Sequence, residues 1–125
     1  MTARPKAAAA RNANLRRMAR KHGCQMRCAQ WCREDDTSTT VLAHPNSLSA
    51  NKGMARKADD HLGVYACFAC HAWLDQGRAG ADKKKAALEA AFGRQVKLYE
   101  EIAESLTSPP ADRASAQWAL DLIRG

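Results

Sequence analysis

The stretch Cys67-Phe68-Ala69-Cys70-His71-Ala72-Trp73-Leu74-Asp75 constrains this chain more than any other. Two thiols three residues apart can take one soft metal ion from a tight turn, the usual half-site of a structural zinc. Such a half-site needs a second pair of thiolates, and Cys24, Cys28 and Cys32 offer it upstream. Five cysteines suit a four-thiolate site with one thiol left over better than they suit a disulfide framework. A domain of 125 residues also has a modest core, which a metal can supplement. A histidine follows Cys70 directly. If the chain is helical from Cys70, His71 and Asp75 lie one turn apart on one face and can hold a second, harder cation.

Charge narrows the choice of partner. The formal net charge is +7 and the isoelectric point is near 9.5, a balance that favours a polyanion. From Met1 to Arg33 there is no acidic residue. Within that stretch Arg16, Arg17, Arg20 and Lys21 are candidates for phosphate contact. Alanines favour helix there and Asn12 and Asn14 dilute it, so residues 1–22 read as a mobile or partly helical basic arm. A solvated tail is the plainer reading of Met1 to Arg11. No segment approaches the ~20 apolar residues of a membrane span, and the N-terminus lacks the apolar core of a secretory signal. A cytoplasmic, thiol-reducing location is the expectation.

Between the two cysteine clusters the pattern is β-like. Thr39 to Ala43 is β-branched and apolar, and it reads as a strand with His44 at its end. Pro45 pushes His44 toward extended backbone. The polar run from Ser47 to Asp60 reads as a loop whose cations Lys52, Arg56 and Lys57 can meet phosphates. His61 to Ala66 forms a second strand feeding the Cys67 turn. The four-residue spacing of Cys24, Cys28 and Cys32 would make a buried helical stripe, but Gly23 and the polar run Arg33 to Ser38 favour loops. A long amphipathic helix opens at Asp82, its N-cap, with Leu88, Phe92, Val96, Tyr99, Ile102 and Leu106 on one stripe. Pro109 and Pro110 break it, and a last helix from about Pro110 to Arg124 presents Ala114, Trp118 and Leu122. These helices pack on each other or on the zinc core, and they could instead hold a dimer.

Four functions compete for Cys67 to His71. C-x-x-C-H is also the attachment motif of c-type haem, but that implies export and leaves three cysteines unexplained. A non-catalytic zinc module that binds DNA uses the thiols and the charge but leaves His44, His71 and Asp75 idle. A zinc protein that binds only another protein ignores the charge. A metal-dependent nuclease uses all of these residues.

The string Cys24-Gln25-x-Arg27 … Cys32 … Val41-Leu42-Ala43-His44 … Lys57-x-Asp59-Asp60 … Ala66-Cys67-x-x-Cys70-His71-x-x-x-Asp75 resembles the small phage and prophage HNH nucleases often found among recombination genes. The resemblance covers roughly Gly23 to Gly80. It implies a zinc-stapled ββα-metal (His-Me finger) core over 23–80; with the basic arm over 1–22 and the C-terminal helical segment over 81–125 read from the residues, the expected fold is α+β. It implies that Cys24 and Cys32 join Cys67 and Cys70 on a structural zinc, with Cys28 to spare. His44 takes the place of the general base, for which an imidazole with a pKa of ~6.5 is suited. His71 takes that of a ligand to the catalytic ion. Asp75 stands where many such enzymes carry another histidine, which favours Mg²⁺ or Mn²⁺. The implied substrate is DNA, in a bacterial host's cytoplasm. Two departures stand out. Ala43 occupies the position where a metal ligand often precedes the base. The central asparagine is not evident, and Asp60 or His61 lies in its region, Asp60 as a ligand or a loop brace.

Overall fold

The computed structural model of the protein describes residues 9–44 and 59–125. The architecture is α+β: α1 (Ala13–Arg17), β1 (Val41–Ala43), β2 (Val64–Ala66), α2 (Phe68–Gln76), α3 (Ala81–Glu104) and α4 (Pro110–Arg124). Lys52, Arg56 and Lys57, and the stretch Met1 to Ala8 of the N-terminal segment, lie outside the described residues.

α1 begins at Asn12, whose side-chain oxygen accepts the Leu15 N–H at 2.9 Å, a standard N-cap. A 3₁₀ turn over Met18–Arg20 continues it. Leu15, Met18 and Ala19 repeat at helical spacing and are fully buried, while Arg17 and Arg20 on the other side face solvent. This part of the basic segment is therefore anchored in the core by one face and exposes the other.

β1 and β2 pair antiparallel with Val41 opposite Ala66, Leu42 opposite Tyr65 and Ala43 opposite Val64. Both strands are shorter than the sequence suggests. Asp36 caps a 3₁₀ turn over Thr37–Thr39 by accepting the Ser38 N–H at 3.0 Å, and a second such turn occupies Asp60–Leu62. So short a ribbon is marginal by itself. Its outer edge is completed from elsewhere: the Gln25 N–H donates to Tyr65 O at 2.8 Å, and Tyr65 N–H donates to Gln95 Oε1 of α3 at 2.9 Å. Gly63 leads into β2 where a Cβ would lie 2.9 Å from the Ala43 carbonyl oxygen, so the chain crosses β1 there only as glycine.

α2 starts two residues before the expected Cys70, with Cys67 extended as its N-cap and Phe68 N–H donating to Thr39 Oγ1 at 3.1 Å. It stops at Gly77, where a Cβ would meet the Trp73 carbonyl oxygen at 2.4 Å. Gly80, rather than Asp82, is the N-cap of α3; Asp82 lies in the first turn, where its charge suits the helix dipole. Ala91, Gln95, Tyr99 and Ile102 are the buried face of α3, with Leu88, Phe92 and Val96 half-buried beside them. Leu106 falls beyond the helix end and is 87% exposed.

The expected face of α4 needs correction. Ala114 and Leu122 are exposed, and Ser115, Ala116, Ala119 and Leu120 are buried instead. The rotation follows from Asp112, a buried carboxylate that accepts from Lys21 Nζ at 2.8 Å and from Asn14 Nδ2 at 2.9 Å. A buried charge must be paired, and both partners lie on the N-terminal segment.

Two apolar clusters result. One joins Leu15, Met18, Leu42, Tyr65, Tyr99, Ile102 and Leu120, and the other surrounds the cysteines with Met26, Val64, Leu74 and Ala91. Tyr65 links the ribbon to α1 by donating its hydroxyl to Leu15 O at 2.8 Å. Tyr65→Phe leaves that buried carbonyl unsatisfied, and a loss of about 1–3 kcal/mol is expected in urea unfolding. Among the described residues no helix is long and apolar enough to cross a membrane.

Candidate functional site

The thiols of Cys24, Cys32, Cys67 and Cys70 all lie within 4.8 Å of one another, and none forms a disulfide. Zn–S bonds of about 2.3 Å in a tetrahedron put sulfurs about 3.8 Å apart. The Cys32–Cys67 sulfur separation is 3.9 Å, so the set fits the ion. Cys28 N–H and Ala29 N–H point at Cys70 Sγ at 3.4 and 3.5 Å, donations that favour a thiolate there. Without a cation the cluster resists ionisation. A hydrogen bond with Cys70 and burial push the Cys24 thiol up to about 12, and burial above all pushes Cys32 to about 12. A divalent cation removes that penalty, so these four cysteines are positioned to bind a metal ion, consistent with structural zinc.

Cys24 to Cys32 form a loop, not a helical stripe. Arg27 sits at φ 49°, in the left-handed region, which turns the chain back so that Cys24 and the amides of Cys28 and Ala29 converge on Cys70. Arg94 of α3 fastens the loop, donating to Gln25 O at 2.7 Å and to Met26 O at 3.0 Å. Cys28 stands outside the four-cysteine set, although its hydrogen bond to Cys70 holds its thiol below the usual range against the effect of burial. Nothing in the spacing of α3 marks Arg94 for this task.

His44 follows β1 and places Nε2 2.9 Å from Oδ1 of Asp60, whose side chain is fully buried. The other oxygen, Oδ2, accepts the Asn12 N–H at 2.7 Å and Arg16 Nη1 at 2.5 Å, with Arg11 Nε at 3.8 Å. Burial works to raise the Asp60 pKa. The Asn12 N–H, His44 and the Arg16 guanidinium outweigh it and hold the carboxyl below its ordinary value. Of the two roles open to Asp60, brace or metal ligand, its contacts are those of a brace.

His71 and Asp75 lie one turn apart on α2, with Nε2 and Oδ2 3.2 Å apart and both side chains about a third exposed. His71 pairs with Asp75 and His44 with Asp60, and among the described residues these side chains are not gathered into one group of three donors.

An open groove of about 750 Å³ runs between α1 and β1, lined by Asn14, Arg16, Arg17, Arg20 and Lys21 on one side and Thr40, Val41 and Leu42 on the other. The four N-terminal cations singled out in the sequence thus share one groove with the strand that leads into His44. Arg16 and Lys21 are partly neutralised by Asp60 and Asp112. Arg17 and Arg20 are exposed and have no acidic partner among the described residues.

An α+β domain with a four-cysteine metal cradle, a buried carboxylate–imidazole pair and a basic groove is a framework for chemistry on a polyanion. Comparison with known families then gives its membership. The family model described as "Putative nuclease YbcO" matches residues 13–103, and the chain belongs to that family, one named for hydrolysis of nucleic acid. The match spans α1, the ribbon, all four metal-cradle cysteines and nearly all of α3. No curated protein and no solved structure matches.

Proposed function

We propose that this protein is a metal-dependent endonuclease of the HNH type that hydrolyses DNA phosphodiester bonds, acting in phage DNA processing or recombination inside a bacterial host cell. The observation that carries the reading is His44, held on a buried carboxylate at the end of a strand that lines a basic groove. The order β1, β2, α2 supports reading 23–80 as a ββα-metal core, with 81–125 as a C-terminal helical segment packed on it and 1–22 as an arm supplying cations. The four cysteines hold the fold, and His44 takes a proton from water. His71 and Asp75, adjacent and accessible to solution ions that keep most of their waters, would hold Mg²⁺ or Mn²⁺. That ion, when bound, supplies a Lewis acid for the phosphate and the leaving 3′-oxygen.

One observation favours a non-catalytic zinc module that only binds DNA: His71 and Asp75 are turned toward each other and supply just two donors. Incubation of the purified protein with plasmid in Mg²⁺ or Mn²⁺ separates the two. Nicked or linear product is expected. Binding without cleavage under any divalent ion favours the module.

The groove makes a further prediction. Replacing both Arg17 and Arg20 by Ala removes two exposed cations without touching a buried pair. DNA affinity is expected to fall, and the slope of log K against log salt to flatten by about 1–2, because fewer counterions are released. Fluorescence titration between 50 and 200 mM salt reads it, roughly the range over which such contacts weaken most visibly. An unchanged slope would remove the groove from the interface.

A further inference from the structure

We infer that Trp31 and Phe68 form a base-stacking subsite for unpaired nucleotides, so that the DNA this protein engages carries a single-stranded segment beside the basic groove. The inference deepens the nuclease reading, on which it rests for the identity of the polyanion. Trp31 is 73% exposed and Phe68 72%, whereas the other Trp, Tyr and Phe side chains are buried or half-buried. Single apolar residues scattered over a surface are ordinary, but these two are not scattered. Trp31 precedes Cys32 and Phe68 follows Cys67, and those two sulfurs are 3.9 Å apart. Both backbones are held. Cys32 N–H donates to Ala29 O at 3.1 Å and closes the turn that carries Trp31, and Phe68 N–H donates to Thr39 Oγ1 at 3.1 Å. A base stacking on a ring so anchored orders little more than the side chain itself.

Thr39 also joins this pair to the basic groove. It precedes Thr40 and Val41, which line the groove, and its 3₁₀ turn packs against the turn over Met18–Arg20, whose exposed Arg20 is one of the groove's cations. A strand whose phosphates follow Arg17 and Arg20 is led toward Phe68 at the Thr40 end.

Charge decides which part of a nucleic acid this end takes. Arg27 faces Glu34 at 3.6 Å and Arg33 faces Asp36 at 3.9 Å, and Asp35 adds another exposed carboxylate. Carboxylates thus outnumber cations around Trp31, and the surface offers phosphates little while it offers bases two ring faces. In a duplex the base faces are covered by their neighbours in the stack. In a single strand they are open, and stacking on aromatic side chains is how unpaired bases are commonly held.

The test follows tryptophan emission of the zinc-loaded full chain, with no Mg²⁺ or Mn²⁺ added so that the DNA stays intact. Titration with oligothymidylate is expected to quench the emission, and a blunt hairpin duplex is expected to quench it far less. Trp31→Ala is expected to remove most of the quenching. Trp31→Ala and Phe68→Ala are each expected to weaken oligothymidylate binding by about 5–150-fold, read by anisotropy of labelled DNA, and to change hairpin binding by less than about twofold. Trp31→Phe keeps a ring face and is expected to restore most of the affinity. Both side chains are exposed, so zinc content and far-UV circular dichroism are expected to match the wild type.

Oligothymidylate that fails to bind, or binds without quenching, overturns the inference with no variant needed. An equal loss for both DNAs overturns it too. So does sedimentation that shows a dimer dissociated by Trp31→Ala, which assigns the rings to a second copy of the chain. A protein that binds the single strand through these rings yet cuts no DNA in Mg²⁺ or Mn²⁺ leaves the subsite standing and overturns the nuclease reading instead.

Discussion

Cys70→Ser is expected to unfold the protein. Cys70 is fully buried, receives two backbone N–H groups, and sits among three other thiols at metal-ligand distances. Binding of a structural zinc at neutral pH supplies about 10–16 kcal/mol in small zinc domains. Net domain stabilities are about 5–15 kcal/mol, so losing the site removes an amount comparable to the whole. The second apolar cluster is built around these sulfurs, so loss of the site also disturbs the packing of the loop from Cys24 to Cys32. Far-UV circular dichroism and elemental analysis should show loss of helix together with loss of about one zinc per chain. Cys28→Ser is the contrast. Its contribution to Cys70 includes a backbone N–H that serine retains, so zinc and fold are expected to survive. Wild-type protein purified with no bound metal would defeat the assignment, and collapse of Cys28→Ser would mean that the upstream ligands differ.

His44→Ala is expected to abolish cleavage while sparing zinc, fold and DNA affinity. His44 lies outside the thiol cluster, and the groove cations are on α1 and the turn after it. A positioned base commonly contributes about 10²–10⁴-fold, so the residual rate should be at the edge of detection. Some loss of stability accompanies the change, because Asp60 keeps Arg16 and the Asn12 N–H but loses its imidazole. Single-turnover cleavage at saturating DNA separates the chemical step from binding. A His44→Ala variant that cuts as fast as the wild type would end the assignment of His44 as base.

Local chemistry was legible where partners are close along the chain. The extended residues around Val41 to Ala43 and Val64 to Ala66 and the proline start of α4 all follow from side-chain sterics within a few residues. Boundaries failed where a distant group intervened. α2 begins early because Thr39 takes the Phe68 N–H, and both strands are cut short by 3₁₀ turns. The buried face of α4 was misread because periodicity counts large apolar residues, whereas its packed face carries Ser115, Ala116 and Ala119 around the paired Asp112.

By itself the sequence determined that this chain carries two cysteine clusters with metal-ligand spacing, a histidine at a strand end, a His–Asp pair on one helical turn and a concentration of cations near the N-terminus. Spacing and residue type suffice for these, since each is a short-range property of the chain. Only the tertiary structure decided that Arg16, Arg17, Arg20 and Lys21 line one groove, that Leu15 and Met18 are core, and that Asp60 is a clamped partner of His44. Those outcomes depend on contacts such as Asn14 with Asp112, 98 residues apart. Long-range pairs of this kind leave no periodic trace, because what selects them is the need to satisfy a buried charge once the two apolar clusters have closed.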